Sequence, residues 1–186
     1  MTLVEEGVLA MRGCWRLLWR DPAAFEDFNL TIEGFWRSFA MVVPVLVLAY
    51  PVFLSLQRTA MATAGGDLPD LRIGVGYAYL LASMALWPLA AAVLARLLGV
   101  ARNYVRYMIV YNWMSVPMMA LLAILHLLNL APGAWPFAIL AHAVFFFSFY
   151  VSWHVARAGL ATTIPVAFAF LFAEYALTSG LDALIR

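Results

Sequence analysis

Residues 73 to 95 read IGVGYAYLLASMALWPLAAAVLA, a run from Ile73 to Ala95 with no acidic or basic side chain, bounded by Arg72 and Arg96. As a helix rising about 1.5 Å per residue it is roughly 34 Å long, enough to cross the ~30 Å hydrocarbon layer of a bilayer. Irregular backbone facing lipid would leave its amides unpaired, so a segment like this must cross as a helix. Four further stretches read the same way: Ser38 to Leu56, Tyr107 to Leu128, Trp135 to Ala156, and a fifth beginning near Gly159 and reaching about residue 180. The predicted fold class is therefore all-α: a polytopic transmembrane helical bundle of five spans (about 38–56, 73–95, 107–128, 135–156 and 159–180). An N-terminal segment, residues 1–37, carries an amphipathic interfacial helix.

Composition points the same way. Of 186 residues, 66% are hydrophobic and only 11% charged, with a mean hydropathy of +0.92. A soluble domain has about a quarter of its residues charged, so these few charges cannot cover a water-facing surface. A net charge of +1 gives no electrostatic footprint for nucleic acid. The single cysteine, Cys14, excludes an intrachain disulfide and a cysteine-based metal cluster. The first twenty residues hold Glu5, Glu6, Arg12, Arg16 and Arg20 with no uninterrupted apolar core, so no cleavable signal peptide is expected.

Within residues 3 to 20, Val4, Val8, Met11, Trp15, Leu18 and Trp19 fall on one helical face, and Arg12, Arg16 and Arg20 repeat on a neighbouring line. Indoles beside guanidiniums suit the headgroup boundary, so the pattern predicts a helix lying flat on the membrane. The alternative is a helix packed against the rest of the protein. Asp21-Pro22 is expected to stop this helix and start a short one, with Asp21 as N-cap. Phe35-Trp36-Arg37 reads as the aromatic and cationic entry to span one.

Prolines punctuate the spans: Pro44 and Pro51 in span one, Pro88 in span two, Pro117 in span three and Pro165 in span five. The connections are 57–72, with turn chemistry at 64–70, then 96–106, 131–134 and Arg157-Ala158. The last two are short enough to make spans three, four and five antiparallel neighbours. With the N-terminus in the cytoplasm, Arg12, Arg16, Arg20, Arg37, Arg96, Arg102, Arg106 and Arg157 lie inside, against Arg58, Arg72 and Arg186 outside. Eight against three predicts the N-terminus in the cytoplasm and the C-terminus on the opposite side of the membrane.

Ionisable groups at membrane depth are the first functional candidates. His126 and His142 are symmetric about residue 134, and Glu174 lies fifteen residues past Gly159, so all three are expected in the outer half. The readings are a transition-metal site, a haem held by two imidazoles, a proton relay, or histidines that make interhelical hydrogen bonds. A second polar group, Arg106, Tyr107, Tyr111, Asn112, His154 and Arg157, belongs to the inner half, with Asn112 and His154 placed to bond between spans three and four. Arg12, Arg16, Arg20, Trp15, Trp19, Arg37, Arg102, Arg106 and Arg157 are the expected interface and headgroup residues. No metal and no cofactor is expected.

Leu98-Gly99-Val100-Ala101-Arg102-Asn103-Tyr104, running on to Ser115-Val116-Pro117, resembles the pattern of bacterial members of the Yip1 family, where a glycine-containing loop precedes a span bearing a small residue and a proline. The similarity covers about residues 38 to 180. It implies a cytoplasmic N-terminal region, a packed five-span bundle and an outward C-terminus. The Asp-Leu-Tyr-Gly-Pro motif of eukaryotic members is absent, and no catalytic set carries over. The expected function is non-enzymatic: a scaffold, assembly factor or accessory subunit acting through helix and lipid contacts, partnered by membrane lipids and by other membrane subunits or a second copy, with no nucleic acid. The alternative is a small oligomeric transporter or channel using Glu174 and the intramembrane histidines.

Overall fold

The computed structural model describes residues 2–63, 72–130 and 136–185. The turn chemistry expected at 64–70, the 131–134 turn and Trp135 lie outside them. Every regular element among the described residues is helical. Helix α1 (Leu3–Leu18) leads through a 3-10 turn (Pro22–Asp27) to α2 (Ile32–Ser38), another 3-10 turn (Phe39–Met41) and α3 (Val42–Thr63). Then follow α4 (Arg72–Leu97), α5 (Tyr104–Leu130), α6 (Phe137–Gly159) and α7 (Ile164–Ile185). Five stretches are long and apolar enough to cross a membrane: Ile32–Ala62, Ile73–Leu97, Ala101–Leu130, Phe137–Gly159 and Ile164–Leu184. The protein has the architecture of a multi-pass membrane protein.

Local chemistry sets most element ends. Thr2 and Glu5 form a capping box at the start of α1, satisfying two amides that the helix cannot. Asp21 accepts from the Ala23 amide at 2.9 Å with Pro22 in the first helical position, as expected. Span one begins earlier than Ser38, because α2 and α3 continue one another through Phe39–Met41. The turn is tight there because the Val42 amide reaches the Phe39 and Ala40 carbonyls, and Pro44 has no amide to offer the Ala40 carbonyl. Pro44 thus lies inside span one, as expected, but in the first turn of α3, while Pro51, Pro88 and Pro117 are interior to α3, α4 and α5. Span five starts at Ile164, not near Gly159, which is the last residue of α6. Pro165 therefore occupies the first turn of α7, where its missing donor costs nothing.

Helix α5 is the axis of the bundle. Of its most apolar window 44% is buried, against 11% for α6. It packs on α1, α2, α3 and α6, while α4 packs between α3 and α7, and α6 on α7. Three polar contacts fix the seam between α5 and the continuous span formed by α2, the Phe39–Met41 turn and α3. Asn112 donates to Ser38 Oγ at 2.8 Å, Asn129 to Ser55 Oγ at 2.9 Å, and Ser115 Oγ reaches Met41 Sδ at 3.1 Å. Each pair is 74 residues apart. A constant offset means that the two helices run parallel and in register, which requires one intervening crossing. Amides and hydroxyls are natural interhelical ties where no hydrophobic force acts between apolar helices. Asn112 therefore bonds Ser38, not His154 as its spacing suggested.

Candidate functional site

Two polar centres stand out. The first is at the arginine-rich end of the bundle, where α1 and α6 finish and α5 and α7 begin. Helix α1 does not float free there. Glu6, Ala10, Gly13, Cys14 and Leu17 are buried against the bundle, while Val4, Val8, Trp15 and Trp19 face outward, the two indoles 64% and 72% exposed. The packed alternative holds for one face; of the six residues expected on the membrane face, Val4, Val8, Trp15 and Trp19 are exposed, whereas Met11 and Leu18 pack on the core. The arginines of α1 are largely engaged within the chain. Arg12 and Arg16 both pair with buried Asp27, and Arg16 also bonds Asp21 at 2.7 Å. Arg37 bonds buried Glu6 at 3.0 Å and Glu33 at 3.0 Å. Sequence spacing does not reveal Glu6 and Asp27 as ion-pair partners, because their arginines lie 31 and up to 15 residues away. The Arg12 hydrogen bond, more than any other contact, holds the Asp27 carboxyl below its ordinary range, with Arg16 adding to it and burial opposing.

Helix ends leave carbonyls unpaired, and side chains from other elements meet them here. His154 Nε2 lies 3.0 Å from the Leu17 carbonyl, so that nitrogen carries the proton. Arg106 donates to the Ala158 carbonyl, and Asn103 to the Leu160 carbonyl at 2.8 Å. The Arg106 guanidinium lies 4.0 Å from the Phe25 ring centroid, and its Nε is buried without a partner among the described residues. Between these ties is a cavity of about 370 Å³ lined by Leu17, Arg20, Asp21, Pro22, Phe25, Arg106, His154, Arg157, Ala158, Ala161 and Thr162. Arg102 is exposed nearby in the α4–α5 connection.

The backbone at this end is unusual. Helices α1, α4 and α6 all close in the same way, with the amide two residues beyond the cap reaching back to the carbonyl five residues earlier: Asp21 to Arg16, Val100 to Ala95 and Thr162 to Arg157. Such a closure needs one left-handed residue and favours glycine. Helix α4 has Gly99 there, at φ +71°, but α1 has Arg20 at +59° and α6 has Ala161 at +49°. Both of these residues line the cavity. A side chain in that conformation costs about 1–2 kcal/mol.

The second centre lies at membrane depth. Glu174 accepts from the Tyr111 hydroxyl at 2.6 Å, with Ser152 beside it. Trp87, Tyr107, Tyr111 and Phe170 form an aromatic cluster alongside, in which Trp87 Nε1 donates to the Tyr107 hydroxyl at 3.1 Å. Because α7 begins at Ile164, Glu174 lies ten residues in, about 15 Å deep. Its hydrogen-bond partner is thus Tyr111, a residue expected in the other half of the membrane from it. His126 is buried against Phe137 at 5.5 Å between ring centroids, its Nδ1 unpartnered among the described residues. His142 is exposed, with Nδ1 at 2.6 Å from the Ala138 carbonyl of its own helix. His126, His142 and Glu174 thus do not share one site, and no group of three or more metal-ligating side chains is placed to hold an ion among the described residues.

Compared with protein-family models, with curated proteins and with solved structures, the chain matches none.

Proposed function

We propose that this multi-pass protein is a non-enzymatic component of a bacterial inner membrane, with its N-terminus cytoplasmic and its C-terminus periplasmic. In this reading it acts as a scaffold, assembly factor or accessory subunit through helix and lipid contacts. Its layout is that of a Yip1-like five-span bundle. The observation that carries the reading is the double-faced α1. That helix is dispensable for crossing the membrane, yet Glu6–Arg37 and the Asp27 pairs fasten it to the bundle. The fastening holds Val4, Val8, Trp15 and Trp19 in a fixed outward stripe. Tryptophan at such a boundary pairs an apolar body with a polar edge, suited both to headgroups and to a neighbouring helix. Photocrosslinkers placed at Val8 and Trp15, with native mass spectrometry of gently solubilised membranes, test this. Adducts to a second membrane chain or a second copy are expected. A strictly monomeric chain that crosslinks only to lipid overturns the partner role.

The Tyr111–Glu174 contact favours a second reading, a small oligomeric transporter or channel in which Glu174 handles a proton or cation. Liposome flux compared between the native chain and Glu174→Gln decides it. Equal flux removes Glu174 from any transport path.

A further inference from the structure

We infer that the cavity at the arginine-rich end binds a phosphate-bearing anion, the headgroup of an acidic phospholipid or a free phosphate. The inference shares with the reading above only the placement of this end at the membrane surface, and it stands or falls separately from the docking of a partner.

Charge arithmetic carries the first step. Arg20, Arg106 and Arg157 bring three positive charges to the cavity wall. Among the described residues the one carboxylate on that wall, Asp21, is already paired with Arg16. Two helix C-termini, those of α1 and α6, also point here, and each presents about half a negative charge. Against three guanidiniums they offset about one charge, leaving an excess of roughly two. Capping alone therefore accounts for Arg106, which bonds the Ala158 carbonyl, but not for the other two. Arg20 makes a long contact of 3.4 Å to the Tyr150 hydroxyl, and Arg157 lies against the Trp153 ring at 5.5 Å. Both contacts orient a guanidinium without neutralising it, leaving donors for a phosphate, which arginine binds in a fork geometry.

The backbone carries the second step. Arg20 occupies a left-handed helix-closing position that glycine fills at α4. A strained residue held in place by its surroundings is grounds for a functional hypothesis. Here the strain places a guanidinium at the cavity rim. The volume, about 370 Å³, lies in the lower range of small-ligand pockets and suits a phosphate with a glycerol-sized substituent.

The test uses the purified full chain in a non-ionic detergent, with thermal unfolding followed by tryptophan fluorescence. The probes are short-chain phosphatidate, phosphatidylglycerol, phosphatidylcholine and inorganic phosphate. The two acidic lipids are expected to raise Tm in a saturable, salt-sensitive way, and the zwitterionic lipid to leave it unchanged. Stabilisation by inorganic phosphate at comparable concentration assigns a free phosphate as the ligand. Its failure beside effective acidic lipids assigns a headgroup. Arg20→Gly and Arg157→Gln should each weaken the apparent affinity by on the order of tenfold. Arg20→Gly has a further signature: without ligand its Tm should equal or exceed that of the native chain, since glycine relieves the left-handed strain. Arg157→Gln, on an exposed helix surface, reads the same site without touching that closure. The inference is overturned if phosphatidylcholine stabilises as well as the acidic lipids, if no phosphate-bearing probe stabilises, or if both variants respond like the native chain.

Discussion

A methyl group at Gly159 would stand 2.9 Å from the Tyr107 Cα, too close for any real contact, so α5 and α6 approach one another through that missing side chain. Gly159→Ala should therefore force the helices apart and cost roughly 1–3 kcal/mol, as overpacking does. Gly99 offers the contrast. Its Cβ would meet nothing within 4 Å, but its φ is +71°, so Gly99→Ala should cost about 1 kcal/mol through the backbone alone. Thermal unfolding in one detergent ranks the two, and equal effects would remove the close approach as the reason for Gly159. Tyr111→Phe leaves the aromatic cluster in place and removes only the bond to Glu174. A loss of about 0.6 kcal/mol, and no more than about 1.7, is expected from interhelical hydrogen bonds in membranes. That pair was not legible in the sequence. Glu174 was visible as a carboxyl inside a span, but its depth depended on where span five begins. The four residues between Gly159 and Ile164 belong to a helix closure that Ala161 completes against the usual preference for glycine. A span beginning at Gly159 instead of Ile164 shifts Glu174 by about 7 Å along the helix, which is why sequence spacing places it in the outer half with the histidines.

At the scale of the element, α1 shows what periodicity can and cannot reveal. The outward stripe of Val4, Val8, Trp15 and Trp19 follows directly from i, i+4 spacing. The inward face does not, because its key residues are acids whose partners are remote: Glu6 with Arg37, and Asp27 with Arg12 and Arg16. Pattern reading treats such acids as solvated, and only the fold reveals that they are buried. The consequence is a specific acid lability. The Asp27 carboxyl sits below its ordinary value, chiefly through Arg12. A depressed carboxyl stabilises the fold above the pH at which the unfolded group titrates, near 4, and that contribution is lost as pH falls through the lower folded value. The attachment of α1 should hence be indifferent to pH between about 5 and 9 and should loosen below about 4, seen as pepsin cleavage near Arg20. Cys14 reports the same event at neutral pH. Its thiol is buried and pushed well above the usual range by that burial, so it should resist maleimide in the intact protein. Asp27→Asn leaves two guanidiniums without their shared acid and should speed Cys14 labelling by on the order of tenfold. If labelling is unchanged, the ion pairs are not what holds α1 down.

The whole molecule follows from an odd number of crossings. Most of that was readable, because twenty-residue apolar runs admit no other solution in lipid. The packing order was not, since α5 takes the centre through Asn112, Asn129 and Ser115, polar residues that hydropathy counts against a span. Their shared offset of 74 residues makes α3 and α5 parallel, so α4 must return between them. The ties from Asn103 and Arg106 to the end of α6 then bring the start of α5 beside the start of α7. If all five helices cross, as proposed, alternation places the two chain ends on opposite faces. In the proposed orientation the arginine-rich α1 end is the cytoplasmic one, in keeping with the positive-inside rule. Single cysteines introduced at Thr2 and at Leu184, with Cys14 silent in the folded state, make this measurable with a membrane-impermeant maleimide on right-side-out bacterial spheroplasts. The Leu184 cysteine should label without permeabilisation and the Thr2 cysteine only after it. Reversed labelling would keep the five-helix bundle but invert its orientation. Labelling of both sites from one side would mean that one of the five helices does not cross, and α7, which holds Glu174 against Tyr111, would be the first to re-examine.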